Sequence, residues 1–465
     1  MLNQVEYYRD QNVRSRIVEY CGGHSEDVHT FTAEYLVGYG EYLTWKGNEE
    51  AVISSPNEGF DWILRKGLDI FRSLWDKRFQ LVVLDIEYFN MDFGGEIYWQ
   101  PLEVFRRLEP VYQKIMSIFK SYGMRPLMLV TEQNYHFVFR FRRDSPVDNE
   151  LARIGQLNEA LSHKYGISSG RRHRFVSYEY GKAYDGLGRV MEQFVYKLIH
   201  ECRAVTNLPI VITDVAVGPG QHGREAISFD LSAFGDPVYM RDIRCAFSTH
   251  QKHKVQIYKV GEKIAREIPV QITIPRTILN LTQIMHLRRH FRDAADYAAG
   301  LSCRVPIYTE EMNLLIKEYR ESPLFKFHQH YDDRYFASPQ ERRALLAKVD
   351  LRALPPCVRQ AMEQPNPHLL KPTNLQMLTR VMLKWGWHPR DIAGVVWSKY
   401  EEKQHGWEED WDRYDEATRA NFYVRLFAGM MQAGLDNKMD CNCVSHKEKG
   451  FCLKPWCGFD LSKYA

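Results

Sequence analysis

The chain has 465 residues, 45% hydrophobic and 26% charged. These are the proportions of a globular protein, with length for two or three cores at roughly 100–200 residues per domain. A net charge of +3 gives no global field for nucleic acid, and no apolar run approaches the roughly 18 residues that cross a membrane. With no signal-peptide pattern at Met1-Leu2-Asn3-Gln4, the composition points to a cytoplasmic protein without a membrane partner.

Residues 1–80 read as helices with aromatic stripes, as from Phe60 to Trp75. A strand then runs from Leu81 through Asp85-Ile86-Glu87. Residues two apart in a strand share a face, so Asp85 and Glu87 aim two carboxylates at one spot, a hard-oxygen site for Mg²⁺ or Mn²⁺. Two solvated acids at a strand end are the plainer alternative. An amphipathic helix follows, with Leu102, Phe105, Leu108, Val111, Tyr112, Ile115 and Phe119 at helical spacing. Next come strands at Leu127–Val130 and Tyr135–Phe141. Tyr135, Phe137, Phe139 and Phe141 fall on one face of the second strand and His136 on the other, where its imidazole can donate to a phosphate oxygen. This strand–helix–strand–strand order is that of a split βαβ half.

Residues 150–205 look helical, broken by the basic string Ser169-Gly170-Arg171-Arg172-His173. Strands are expected at 209–216, 226–231, 254–260 and 267–274. Asp230 on the second of these is the third acid of the set, with Asp214 as its rival. Three acids brought together from separate strands suit two-metal phosphoryl transfer. Arg244, Ser248, His250 and Lys252 crowd one short stretch and suit triphosphate binding, Arg as a bidentate fork and Lys as a compact charge.

After Pro275 the chain reads as helical to its end, with a boundary near 300–355. Helices are expected over Asn374–Trp385 capped by Thr373, from Pro389 to about Lys403, and from Asp415 onward. Cys441, Cys443, Cys452 and Cys457 crowd the C-terminus, and Cys357 follows two prolines. Such a cluster favours metal over disulfides.

Together these pieces resemble the catalytic small subunit of the archaeo-eukaryotic primase superfamily, over residues about 80–260. An acidic pair on an apolar strand, a strand-borne His, a third acid and an Arg…Ser-x-His-x-Lys segment follow in that order, as Asp85/Glu87, His136, Asp230, Arg244, Ser248, His250 and Lys252. The opening Tyr7-Tyr8-Arg9-Asp10 also looks like that subunit's start. Two features depart from the pattern. The second acid is Glu, and the turn before His136 lacks the Ser-Gly-Arg-Arg-Gly string, which resembles the later 169–173 segment instead. The C-terminal part resembles the iron–sulfur domain of the primase large subunit, with Cys357 after Pro355-Pro356 as the first ligand and Cys441 or Cys443, Cys452 and Cys457 as the others. A zinc site from Cys441, Cys443, Cys452 and Cys457, with His446 in reserve, competes with a [4Fe–4S] cluster.

The resemblance implies an α+β protein in three parts. Residues 1–300 would be a primase-type catalytic domain on an RRM-like sheet, 301–350 a helical linker, and 351–465 an all-α metal-binding domain. It implies a nucleotidyltransferase that synthesises primers de novo on single-stranded DNA from NTPs or dNTPs. Asp85, Glu87 and Asp230 would hold Mg²⁺ or Mn²⁺, and His136, Arg244, Ser248, His250 and Lys252 would bind the triphosphate. Trp385, Trp387, Trp397 and Trp407 are candidates for base stacking or for core packing. A replicative helicase or single-strand-binding protein is the expected partner, at a nucleoid or mobile-element replication site. The alternatives are an extension-only polymerase of the same superfamily and a non-catalytic nucleic-acid-binding module with structural zinc.

Overall fold

The computed structural model describes residues 3–45, 51–158, 177–213, 224–235, 241–363, 368–402, 415–435 and 442–464. The fold is mixed α+β. Its strands in chain order are β1 (Leu36–Tyr39), β2 (Ala51–Ser54), β3 (Asp69–Ser73), β4 (Phe79–Asn90), β5 (Leu127–Val130), β6 (Asn134–Arg142), β7 (Ile210–Ile212), β8 (Glu225–Asp230), β9 (Asp242–Arg244), β10 (Thr249–His250), β11 (Gln271–Ile272) and β12 (Ile274–Pro275).

A six-stranded sheet runs β12-β5-β6-β4-β8-β7, a four-stranded sheet runs β2-β1-β3-β9, and β10 pairs with β11. All pairings are antiparallel except β7 with β8. One face of the large sheet is covered by the helices Pro101–Ser121 and Tyr178–Cys202. Pro101 opens the first of these, where its missing N–H is not needed, and its buried stripe meets the aromatic face of β6. Phe105 sits edge-on to Tyr135 at 5.1 Å, and Phe119 stacks on Phe137 at 5.7 Å and reaches Phe194 of the 178–202 helix at 5.2 Å. Such pairs add about 0.5–1.5 kcal/mol each beyond the area they bury.

Several sequence expectations are corrected. Residues 1–80 are not helical throughout, because β1, β2 and β3 lie within them. The helix Pro56–Arg65 stops at Lys66-Gly67, where Gly67 takes φ 63°, a left-handed conformation glycine adopts freely. β3 then occupies the second half of the stretch that reads as one aromatic helix. Strands of four or five residues are too short to display their period against that background. Residues 254–260 form two single-turn helices, Lys252–Val255 and Ile257–Val260, rather than a strand. Ile257 and Tyr258 are exposed, so the apolar residues there have no sheet face to bury. The expected strand at 267–274 is cut to β11 and β12 by the helix Glu262–Glu267. The helix expected to be capped by Thr373 is Pro372–Lys384, with Lys371 at its N-cap.

The C-terminal helices include Pro323–Asp332, Pro339–Ala347, Pro356–Glu363, Pro372–Lys384 and Pro389–Tyr400, each opening on proline. Asp415 caps Glu416–Gln432 by accepting from the Thr418 amide. The segment expected as a linker is packed: the His328 ring lies fully buried, 3.4 Å from Glu192 of the 178–202 helix.

A buried ion network ties the two halves. Asp185 accepts from Arg189 at 2.8 Å and from Arg425 at 2.9 Å, Arg189 reaches Asp332 at 2.5 Å, and Arg390 reaches Asp332 at 2.7 Å. Burial alone would raise the Asp185 carboxyl, but Arg189 and Arg425 outweigh it and hold it well below the usual carboxylate range. Its stabilising contribution is therefore present above the ordinary carboxylate pKa and is lost only as pH falls through the depressed value. Replacing Arg425 by Ala leaves a buried carboxylate short of a partner. We expect a loss of about 3–5 kcal/mol, read as a lowered thermal midpoint with faster protease cleavage.

A three-carboxylate candidate active site and a four-cysteine pocket

β4 lies at the centre of the site, paired on both edges. Asp85 faces His136 of β6 on one side and Asp230 of β8 on the other, while Glu87 faces Asn134 and Ser228. Residues opposite each other in antiparallel strands lie about 4.5–5.5 Å apart and share a face. Three carboxylates and one imidazole thus meet on the sheet face opposite the aromatic layer.

Asn134 holds two of the acids, its amide donating to Asp85 Oδ1 at 3.1 Å and to Glu87 Oε1 at 2.7 Å. Asp230 Oδ1 accepts from the Ser232 amide at 2.8 Å, and its Oδ2 is 3.3 Å from Arg241. The Asp85 and Asp230 side chains keep 22% and 19% of their surface exposed, so the site opens to solvent. Burial first, then the charges of Glu87 and Asp230, push the Asp85 carboxyl well above its usual range against the opposing Asn134 hydrogen bond and Arg241. A divalent cation would relieve that repulsion. The donor set, all carboxylate oxygen, suits Mg²⁺ or Mn²⁺.

His136 Nε2 sits 3.4 Å from Asp85 Oδ1, and its Nδ1 is buried without a hydrogen-bond partner. Burial, then the Arg244 charge, lowers His136 to about 3, so the ring is neutral at physiological pH. Burial and the same arginine also hold His250 well below its usual value.

The other expected phosphate ligands are placed unequally. Arg244 reaches buried Asp69 at 2.8 Å, donates to the Thr249 carbonyl and lies over the Phe71 ring. Ser248 is fully buried, accepting from the Ile70 amide at 2.8 Å and donating to the Thr249 carbonyl at 2.9 Å. Both are occupied as internal frame. His250 Nδ1 lies 3.2 Å from the buried Glu132, which also takes His253 at 2.7 Å and the Tyr98 hydroxyl at 3.1 Å. Lys252 alone of the four is exposed. Tyr7 donates to the Phe247 carbonyl at 3.1 Å, and the Tyr8 hydroxyl accepts from the Thr249 amide at 2.7 Å, so the N-terminal segment pins this stretch.

Sequence reasoning missed Asn134, Arg241 and Glu132. Asn134 had a signal, since it precedes His136 by two residues on the same strand and must share its face. Asp214, Trp407, Cys441 and the 169–173 string lie outside the described residues. Trp385, Trp387 and Trp397 pack partly buried against the core, Trp397 under the Arg342 guanidinium at 3.5 Å.

Cys357, Cys443, Cys452 and Cys457 line one small cavity with His446. Cys357 is pushed up to about 11 by burial, then by Cys452 and Cys457. Among the described residues, neither these cysteines nor Asp85, Glu87 and Asp230 form a group with three ligand atoms within 4.8 Å of one another; the groups that do are Glu132, His250 and His253, and His286, His290 and Asp293. Thiolate donors gathered in this way suit either zinc or an iron–sulfur cluster.

No family model, curated protein or solved structure matches the chain, and among the described residues no helix is long and apolar enough to cross a membrane.

Replacing Asp85 by Asn removes one of three mutually repelling acids. In EDTA the wild type should lose stability as pH rises through the raised Asp85 value, because the favoured protonated form disappears. The D85N variant should show a flatter pH dependence above the ordinary carboxylate range and a higher melting temperature at the upper end. Its melting temperature should no longer rise on adding Mn²⁺. Equal Mn²⁺ stabilisation in both proteins would remove the metal assignment.

Proposed function

We propose that the chain is a single-chain primase-polymerase that starts and extends strands on single-stranded DNA from NTPs or dNTPs. The observation that carries this reading is the convergence of Asp85, Glu87 and Asp230 from two paired strands onto one solvent-open face. Acids this crowded are expensive unless they hold cations, and nucleotidyl transfer is a reaction that uses paired cations. Bound Mg²⁺ or Mn²⁺ supplies a lowered pKa at an attacking 3′-hydroxyl and charge neutralisation at the departing pyrophosphate.

The residues' own work follows from their placement. Asn134 fixes the rotamers of Asp85 and Glu87. Arg241 and the Ser232 amide orient Asp230. His136, kept neutral, offers a nitrogen next to Asp85 for a nucleotide oxygen without adding charge. Lys252 offers an exposed cation for the triphosphate. Arg244 is a positioning residue whose charge adds to burial in disfavouring protonation of His136 and His250.

Cys357, Cys443, Cys452 and Cys457 would hold the cluster, tying the 356–363 helix to the terminal segment. A replicative helicase or single-strand-binding protein is the partner class this activity calls for.

The test is synthesis on single-stranded DNA with Mn²⁺ and no primer. The wild type should make dinucleotides and longer products, and Asp230→Ala should lose activity by about three orders of magnitude or more with unchanged circular dichroism. Products only when a primer is added would identify an extension-only polymerase. Full activity in Asp230→Ala would end the catalytic assignment. Anaerobically purified wild type should also show broad visible absorption and bound iron, both reduced in Cys357→Ser. Stoichiometric zinc without iron would replace the cluster by a zinc site.

A further inference from the structure

At the other end of β4 and β6 is a cavity of about 240 Å³, walled by Arg78, Arg140, Arg142 and Arg304 with Glu19 as its one carboxylate. We propose that this cavity binds a compact polyphosphate anion, of the pyrophosphate or tripolyphosphate class, at a site separate from the three carboxylates. The inference does not depend on the catalytic reading above.

Three observations carry it. The first is unbalanced charge: four guanidinium groups face one acid, and Arg304 lies 3.9 Å from that Glu19. The second is that the donors are unused. Arg140 Nε is buried with no hydrogen-bond partner. Among the described residues no acceptor pairs with the guanidinium of Arg78, Arg140 or Arg142, whereas most buried arginines of this chain are paired, such as Arg72 on Asp76 at 2.6 Å and Arg189 on Asp332. The third is preorganisation. Arg140 lies over the Phe79 ring at 4.0 Å and Arg142 over the same ring at 5.9 Å. Stacking fixes the planes of these groups and leaves their in-plane N–H forks for oxyanions. Burial, with Arg72, Arg304 and Arg142 close by, lowers Arg140 to about 10 despite Asp76. A polyanion in the cavity would reverse that penalty.

Size and place select the ligand. The volume is below the roughly 300–1,000 Å³ of pockets that enclose drug-sized molecules, so it suits phosphate groups without a nucleoside. Arg140 and Arg142 share the strand face of His136. Arg142 is six residues along β6 from it, about 20 Å at 3.3–3.4 Å per residue.

The experiment is calorimetric titration of the full chain with inorganic tripolyphosphate in EDTA, where the carboxylate site cannot recruit phosphate through cations. The wild type should bind one equivalent. Arg140→Gln/Arg142→Gln should weaken binding at least about tenfold, and Arg78→Gln/Arg304→Gln, at exposed positions that do not threaten the fold, should weaken it as well. Absence of heat, wild-type affinity in both double variants, or equal binding of sulfate at matched ionic strength would overturn the proposal. So would displacement of tripolyphosphate by a 5′-hydroxyl single-stranded oligonucleotide, since the site would then hold a strand backbone. Each outcome is read without catalysis, so primer synthesis can fail while this site stands, or the reverse.

Discussion

The register of β4 against β6 and β8 is the constraint on which the site depends. A strand alternates its faces, so a slip of one residue would turn Asp85 and Glu87 toward the helices and bring Ile86 into the acidic cluster. The opposite face prevents this. Tyr135, Phe137, Phe139 and Phe141 are all buried there, and each such ring is worth about 1.5–3 kcal/mol of burial. Like charges on one sheet face work against folding, as the raised Asp85 shows. The aromatic layer offsets that cost, so the geometry of the polar face is set by apolar packing one strand-thickness away.

A second layer of order comes from ion pairs shut inside the molecule. Arg244 with Asp69 and Arg72 with Asp76 are buried pairs. Such pairs add little net stability, yet removing one partner is severe. Their value here is positional. Arg244 crosses from β9 to the start of β3 and locks the stretch that carries Ser248 and His250. Burial first, and then its charge, disfavour protonation of His136 and His250. Arg244 thus acts on the site through the field it sets.

This explains what the sequence revealed and what it concealed. Asp85, Glu87, His136 and Asp230 were legible because a strand's period of two is rigid and the apolar runs around them are long. The cysteine pocket was legible in part: Cys357, Cys452 and Cys457 stood out by spacing, but only the fold brings Cys443 to them. The roles of Arg244 and Ser248 were not legible, because a basic or hydroxyl side chain reads the same whether it faces a ligand or a buried carboxylate. Asp69 and Glu132, the partners that decide the matter, lie 175 and 118 positions away from Arg244 and His250. The small sheet was hidden for a different reason, since its strands are short and interleaved with a helix that shares their aromatic composition.

Charge is distributed unevenly along the central strands. One end of β4 and β6 carries an excess of acid, and the other an excess of arginine. Had the two been adjacent they would pair, and neither would be available to a ligand. Arg140, four residues along β6 from His136, is about 13 Å away and Arg142 about 20 Å, both beyond the Debye length of about 8–10 Å at moderate ionic strength, so their direct attraction to the acids through solvent is weakened. Val138 on β6, with Leu81 and Val83 on β4, fills the interval, and all three are buried. An apolar spacer on a rigid sheet therefore keeps an acid-rich and an arginine-rich cluster apart on one surface.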